Sequence, residues 1–164
     1  MRVASILDPT KTVGIPVTVL APLKNLWHAP QEQTADGISC TVASDGGIRL
    51  KGVSTLPEGI SNRTDFYPLS DGQKIALPAG EYTLSCKDDM TGIILFCIMS
   101  VDDQPDRYMI IPTSNGNAKT LTFTLPEHAS VTPVVGVQGG ATIDLTVHPM
   151  LEDGDTAHDY IPYQ

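Results

Sequence analysis

Aromatic side chains, charged side chains and cysteines are all scarce in this sequence of 164 residues. Phe, Trp and Tyr make up 5% of the chain and charged residues 18%, whereas an ordinary soluble domain has about 25% charged residues. The cysteines, Cys40, Cys86 and Cys97, are odd in number and widely spaced, which argues against a disulfide framework and against a zinc site. We therefore expect buried free thiols, with one chance pair as the alternative.

Long apolar runs are also missing. The longest, Ile93 to Met99, has seven residues, and a helix needs about 20 to cross a bilayer. Near the N-terminus, Asp8, Pro9 and Lys11 interrupt the sequence before the apolar part of a signal peptide can form. No longer stretch repeats apolar residues with the helical period. The sequence therefore predicts a protein that folds in the cytoplasm without inserting into a membrane.

Positive charge is in short supply as well, and the formal net charge is −9. Residues 1–24 carry three basic side chains and one acidic, and the other 140 residues carry seven basic and eighteen acidic ones. A body this acidic repels phosphate backbones, so no nucleic-acid ligand is expected. The basic N-terminal segment suits an acidic neighbour, although a short tail without a charge-based role explains the same numbers.

Turn-forming residues are abundant, with 14 Gly and 13 Pro, and short alternating apolar segments lie between them. Asp45-Gly46-Gly47 predicts a hairpin over residues 37–53. Further strands are predicted at 74–77, 81–86, 93–99, 107–111 and 120–125. The fold class is therefore all-β, an antiparallel β-sandwich or jelly roll of about ten short strands.

Three other segments complete the prediction. Gly139-Gly140 indicates a second hairpin between residues 131–137 and 141–147, whereas 54–73 reads as loop-rich. Residues 25–164 are expected to form the sandwich domain. Residues 1–24 are predicted to be an attachment arm or an ordinary edge strand, because Pro16 interrupts the apolar segment 15–20.

Several short motifs recur in order from about residue 24 to residue 163. They are Lys24-Asn25-Leu26-Trp27, Asp45-Gly46-x-Ile48-x-Leu50, Leu77-Pro78-Ala79-Gly80-Glu81-Tyr82-Thr83-Leu84-Ser85, Thr122-Phe123-Thr124-Leu125 and the segment from Pro149 to Tyr163. The ordered set resembles a β-sandwich domain of bacteriophage virion proteins, which is jelly-roll-like and similar to carbohydrate-binding modules. Such domains are found in phage tail, baseplate, fibre and capsid accessory proteins.

The resemblance implies a non-enzymatic structural role in the virion. The expected protein is a capsid decoration, head-fibre, tail or baseplate component, assembled in the bacterial host cytoplasm, contacting other virion proteins and forming a homo-oligomer. Because this chain starts at its own Met1, we expect a free-standing accessory protein. The alternative is a carbohydrate-binding adhesin module that recognises a host-surface glycan.

The C-terminal segment is predicted to be a structural clamp. Pro149 is expected to end ladder hydrogen bonding, Gly154 to permit a turn with positive φ, and Pro162 to stiffen the chain end. Tyr160 and Tyr163 are expected to fold back over the sandwich and cover its edge.

Ligand sites are predicted only from residue types. Glycan binding requires exposed aromatic side chains, for which Trp27, Phe66, Tyr67 and Tyr108 are the candidates, with core packing as the alternative for Trp27. A structural calcium would use acidic loop side chains, and the candidates are Asp102, Asp103 and Asp106, or Asp88 and Asp89, with a further acidic set at Asp153, Asp155 and Asp159. No other cofactor and no catalytic residue is expected, because no nucleophile, zinc-protease or phosphate-loop motif occurs.

Overall fold

The computed structural model describes residues 2–4, 12–14, 22–28, 31–66, 74–100, 108–110 and 120–163. These ranges contain strands, turns and irregular segments but no helix. The strands are β1 (Arg2–Ala4), β2 (Thr12–Gly14), β3 (Gln33–Ala35), β4 (Ile38–Val42), β5 (Ile48–Val53), β6 (Gly59–Phe66), β7 (Ile75–Leu77), β8 (Gly80–Ser85), β9 (Ile93–Ser100), β10 (Tyr108–Ile110), β11 (Thr120–Leu125), β12 (Ala129–Gly139), β13 (Thr142–Val147) and β14 (Met150–Asp153). The predicted all-β class is therefore confirmed.

The described strands form antiparallel sheets, of which three make the body of the sandwich. The first has the order β13-β5-β4-β3 and the second the order β11-β8-β14. The third has the order β10-β9-β12-β6, and β7 also pairs with β12. Separately, β1 and β2 form a two-stranded hairpin. The predicted strand at 15–20 lies outside the described residues.

One hydrophobic core joins the three larger sheets. Ile38 and Leu50 come from the first sheet, Leu84 and Leu151 from the second, and Val135 from the third. Each of these side chains is at most 1% exposed, so each contributes about 2 kcal/mol through removal of apolar surface from water. The core is therefore shared and does not belong to one sheet.

The predicted hairpin over 37–53 is confirmed by the pairing of β4 with β5, in which Val42 lies opposite Ile48. Its turn is closed by a hydrogen bond from the Ala43 amide to the Gly47 carbonyl, 2.8 Å long. An unpredicted hairpin precedes it: Asp36 and Gly37 join β3 to β4, with φ of 47° and 82°. Two successive positive φ angles are typical of the Asp-Gly turns that connect antiparallel strands.

The second predicted hairpin was wrong. β12 pairs with β6, β7 and β9, and β13 pairs with β5 in another sheet. The turn at Gly140, where φ is 76°, therefore carries the chain from one sheet to another. β12 is paired with β9 on one edge and with β6 and β7 on the other, and two apolar segments beside a Gly-Gly turn do not indicate which strands these partners are.

One further prediction needs correction, and another agrees with the strand bounds. Part of the expected loop 54–73 is the strand β6, in which Thr64 and Phe66 are buried, Asn62 and Asp65 are half-buried and Arg63 is exposed. Pro149 was expected to end ladder hydrogen bonding, and it lies between the end of β13 at Val147 and the start of β14 at Met150, which pairs with β8. Pro149 therefore separates two strands of different sheets.

The described residues contain no helix long and apolar enough to cross a membrane. Cys40 and Cys86 are buried free thiols, as expected. Nothing is described for the Cys97 side chain, although its backbone lies in β9.

Candidate functional site

The first and last segments of the described body meet at Asn25. Its Nδ2 donates hydrogen bonds of 2.9 Å to the carbonyl oxygens of Pro149 and Ile161. Its Oδ1 accepts hydrogen bonds from the amides of Trp27, at 2.9 Å, and Leu151, at 3.1 Å. Asn25 is 2% exposed, and a buried amide with four hydrogen bonds holds each of these segments in one geometry.

A C-terminal strap, residues 154–163, continues from β14 without regular structure. It begins at Gly154, where φ is 96°. The Gly154 amide donates to the Glu81 carbonyl at 2.7 Å, and the Gly154 carbonyl accepts from the Thr83 hydroxyl at 2.8 Å. Glycine tolerates this backbone conformation without the steric cost that other residues have. The turn at Gly154 and its two hydrogen bonds therefore fix the direction in which the strap leaves β14.

Two aromatic rings anchor the far half of the strap. Tyr160 packs edge-on against His148, with 4.8 Å between ring centroids, and Tyr163 stacks on His28, with centroids 3.8 Å apart. A Cβ built on Gly46 would lie 2.9 Å from Pro162 Cβ and 2.9 Å from the Tyr160 hydroxyl oxygen. The strap therefore lies on the β4–β5 turn, and three of the residues predicted as a clamp, Tyr160, Pro162 and Tyr163, make these contacts.

His148 occupies the centre of this region, between two carboxylates. Its Nδ1 lies 3.1 Å from Asp88 Oδ1, and its Nε2 lies 3.1 Å from Asp45 Oδ2. The His148 amide also donates to Asp88 Oδ2 at 2.6 Å. The ring is against Gly47, because a Cβ built there would lie 2.7 Å from two ring atoms. A glycine in the turn thus makes room for the histidine.

The electrostatics of the cluster favour a charged imidazole. Burial by itself would lower the pKa of His148, but the hydrogen bonds that its ring donates to Asp88 and Asp45 outweigh burial and raise that pKa above its ordinary value. The Gly47 amide and then His148 lower the pKa of Asp45. Burial, followed by the charges of Asp45 and Asp88, raises the pKa of Tyr160, so the phenol stays neutral beside these carboxylates.

The Cys86 thiol lies next to this cluster but is chemically inert. Its Sγ is 3.5 Å from Asp88 Oδ2, and burial raises its pKa to about 12. The thiolate is the nucleophilic form of cysteine, so Cys86 remains protonated and unreactive near neutral pH. Burial raises the pKa of Cys40 to about 12 as well.

A buried acid, Glu152, lies under the strap. Glu152 is fully buried in β14. Its Oε2 accepts a hydrogen bond from the His158 amide at 2.9 Å, and its Oε1 is 3.2 Å from His158 Nδ1. Nearby, Lys87 Nζ is 2.7 Å from Asp159 Oδ1 at the exposed surface. The amide and the ring of His158 together offset the free-energy cost of removing the Glu152 carboxylate from water.

A cleft of about 110 Å³ lies between the strap and the body, lined by Ser85, Lys87, Asp88, His148, Met150, His158 and Tyr160. This volume is below the few hundred Å³ of an ordinary small-molecule site. Both ring nitrogens of His148 face carboxylates, so neither is available to take a proton from a substrate. The arrangement joins the strap to the β4–β5 turn and to the segment that carries Asp88.

Two of the predicted glycan-stacking residues are in the core. Trp27 is 2% exposed and Phe66 is 1% exposed, so neither ring offers a face to a sugar, and the glycan assignment of these two residues is corrected. Their apolar area is better buried in the sandwich than left in water. Tyr67 lies outside the described residues. Tyr108 lies in β10, but nothing is described for its side chain.

The predicted calcium ligands Asp102, Asp103 and Asp106 lie outside the described residues. Among the residues whose side chains are described, no group of three or more His, Cys, Asp or Glu side chains is arranged to hold a metal ion. Asp88 instead contacts His148, Asp89 accepts from the Thr91 amide at 3.0 Å, and Asp159 contacts Lys87. These acids therefore hold loops and the strap.

The comparisons with known proteins give no relative: no protein-family model, no curated protein and no solved structure matches this chain.

Sequence reasoning missed the cluster of Asp45, Asp88 and His148. Asp45 was interpreted as part of a turn, and His148 was not among the candidate site residues. His148 is 103 residues from Asp45 and 60 from Asp88, and no local pattern spans such separations. Asn25 was identified only as part of a motif, and its proximity to the C-terminal motif was not predicted.

Proposed function

We propose that this chain is a structural component of a bacteriophage virion. Its β-sandwich is displayed on the particle as an accessory capsid decoration, head-fibre, tail or baseplate component, and its N-terminal segment attaches it. The protein acts through assembly contacts and not through catalysis, in a homo-oligomer assembled in the host cytoplasm.

One observation supports this proposal most directly. The two end motifs of the phage-domain resemblance, Lys24–Trp27 and Pro149–Tyr163, are hydrogen-bonded to each other through Asn25. The Leu26 amide also donates to the Leu151 carbonyl at 2.8 Å. A body whose first and last motifs are joined at one place is a closed unit, and the proposal assigns attachment to the segment that precedes it in sequence.

The charge distribution agrees with that division of roles. Residues 1–24 have a formal charge of +2 and residues 25–164 a charge of −11. A basic segment on an acidic body is steered towards an acidic surface, and the body itself is repelled by nucleic acid. Cys86, whose pKa is about 12, and His148, whose ring nitrogens both face carboxylates, favour a role without nucleophilic chemistry.

The test is the number of copies per purified phage particle, measured by quantitative mass spectrometry. Hundreds of copies would support a capsid-surface protein, and a small number would support a tail or baseplate component. Absence from the particles would overturn the proposal and favour the carbohydrate-binding alternative.

A deletion tests the attachment role of the N-terminal segment. It should remove residues 2–21 and keep residues 22–28, because Asn25 and Leu26 are bonded to the C-terminal part of the body. The matched control replaces residues 2–21 with a Gly/Ser segment of equal length. We expect both variants to fold and neither to attach. Normal attachment of the control would show that the segment's sequence has no part in it.

A further inference from the structure

The geometry around His148 requires a particular protonation state. A neutral imidazole has one N–H and one bare nitrogen, whereas both nitrogens are donors in the protonated ring. Nδ1 and Nε2 each lie 3.1 Å from a carboxylate oxygen. The other oxygen of Asp88 accepts from the His148 amide, and the other oxygen of Asp45 accepts from the Gly47 amide at 3.1 Å. Both acids are thus acceptors, and both ring contacts are hydrogen bonds when His148 is charged.

The contacts of His148 join four separate parts of the chain. Asp45 is in the β4–β5 turn, Asp88 is in the segment between β8 and β9, and His148 lies between β13 and β14. Tyr160 of the strap packs on the His148 ring. The Tyr160 hydroxyl and Pro162 also lie against Gly46, next to Asp45. A change in the charge of His148 therefore acts on the surface that receives the strap.

We propose that the C-terminal strap, residues 154–163, is a pH-sensitive latch whose docking on the β4–β5 turn is controlled by protonation of His148. Deprotonation removes one of the two ring N–H donors and leaves a bare nitrogen facing a carboxylate. The His148 ring then no longer holds the β4–β5 turn and the segment carrying Asp88 together. Tyr160 therefore packs against a ring that is no longer fixed in position. The strap opens and uncovers the cleft lined by Met150.

The direction of the pH effect follows from the pKa shift. The pKa of His148 is raised in the docked state, from an ordinary value of about 6.5. Its contribution to docking is therefore fully present below about pH 6.5 and is lost as the pH rises through the docked-state pKa. Tyr160 and Cys86, which also face this cluster, have raised pKa values and stay neutral in this range. Lys87 and His158 line the same cleft.

A second histidine under the strap has the opposite effect. Burial, and then the charge of Lys24, lowers the pKa of His28, on which Tyr163 stacks. Protonation of His28 as the pH falls below about 6.5 therefore opposes docking. The two ends of the strap respond to pH in opposite directions, and variants can separate them.

The experiment measures hydrogen-exchange protection of the strap in the full-length chain at about pH 5.5 and about pH 8.5, on either side of an ordinary histidine pKa. Protection factors correct for the pH dependence of chemical exchange, and the amides of Gly154, His158 and Ile161 are the reporters. We expect strap protection to fall about 3- to 10-fold at the higher pH, because one charge-assisted hydrogen bond is lost from the surface that receives the strap. Amides of β4 and β5 should not change.

Three variants assign the effect. His148→Gln should remove the fall or reverse its sign, and His28→Gln should make it steeper. Asp45→Asn should weaken it. The Asp45 side chain is 62% exposed, so this variant keeps the test valid if His148→Gln does not fold. Equal strap protection at both pH values, or an unchanged fall in Asp45→Asn, would overturn the proposal. A His148 pKa at or below about 6.5 by NMR titration of the wild-type chain would overturn it too.

Discussion

The β4–β5 hairpin and the junction around Asn25 hold their chain segments together by different means. In the hairpin, residues close in sequence form a ladder from Val42–Ile48 to Ile38–Gly52, and Cys40 and Leu50 are buried beneath it. At the junction, Asn25 binds segments 124 and 136 residues away. The hairpin depends on turn chemistry and apolar burial, whereas the junction depends on a few specific polar contacts.

Because of this difference, the hairpin and the strap should respond differently to pH. Apolar burial has no protonation state and changes little with pH, so the hairpin should remain intact over a wide range. The strap combines Asn25 hydrogen bonds with histidine contacts, and those contacts depend on charge. Regions held by few polar contacts are the ones that open first. The variants below test whether the two regions can be disrupted independently.

Leu50→Ala should have the largest effect. Leu50 is fully buried in β5, and replacing a buried leucine with alanine costs about 2–5 kcal/mol through lost burial and the remaining cavity. Urea denaturation should show this loss in the free energy of unfolding. Val42→Ala is the matched control, because Val42 is in the same hairpin but 38% exposed. Similar losses for both variants would contradict a core role for Leu50.

Asn25→Ala should come next, at about 2–3 kcal/mol, because the carbonyl of Pro149 and the amide of Leu151 lose a buried partner. Hydrogen exchange should rise in the strap and leave the β4–β5 hairpin unchanged. The control is Asn62→Ala, which removes an exposed 3.0 Å hydrogen bond to the Pro57 carbonyl. If exchange in the hairpin increased as much as in the strap, the two regions would not be independent.

Gly154→Ala should have an intermediate effect. No atom outside the neighbouring residues lies within 4 Å of a Cβ built at this position, so the cost comes from the φ of 96° and should be about 1–2 kcal/mol. Thermal or urea unfolding measures it. Gly80→Ala is the control, since its Cβ would make ordinary contact with the Tyr82 ring at 3.6 Å. A smaller loss at Gly154 than at Gly80 would show that the strap does not need this turn.

Asp144→Asn should have the smallest effect. Asp144 pairs with Arg49 on the exposed face of β13 and β5, and exposed ion pairs contribute little to stability. The hydrogen bond from Arg49 lowers the pKa of Asp144, so any stabilisation is present at neutral pH and lost as the pH falls through that pKa. We expect no measurable change in the unfolding midpoint at neutral pH. A clear loss would mean that this face matters more than its exposure indicates.

Sequence patterns predicted those parts of the fold that depend on neighbouring residues. Asp45-Gly46-Gly47 between two alternating segments marked the hairpin, because a tight turn and period-two burial are local properties. The segment 93–99 was predicted as a strand, and it lies within β9, which pairs with β10 and β12. By contrast, β6 was missed, because polar Asn62, Arg63 and Asp65 hide the buried Thr64 and Phe66.

Strand pairing was harder to predict than strand position. The segments of β12 and β13 were both predicted, but they were paired with each other across Gly140, whereas each has its partners elsewhere. Pairing depends on which apolar faces share the core, and this is decided by contacts between distant segments. The same limitation concealed the contact between His148 and Asp45.

The sequence by itself determined the all-β class, most strand positions, the burial of Cys40 and Cys86 and the acidity of the body, because these follow from composition and from patterns a few residues long. The tertiary structure alone decided that Asn25 joins the two end motifs, that Trp27 and Phe66 belong to the core, and that His148 lies between Asp45 and Asp88. Each of these depends on residues brought together from distant parts of the chain. Such proximity results from burial of one shared core, and no local pattern records it.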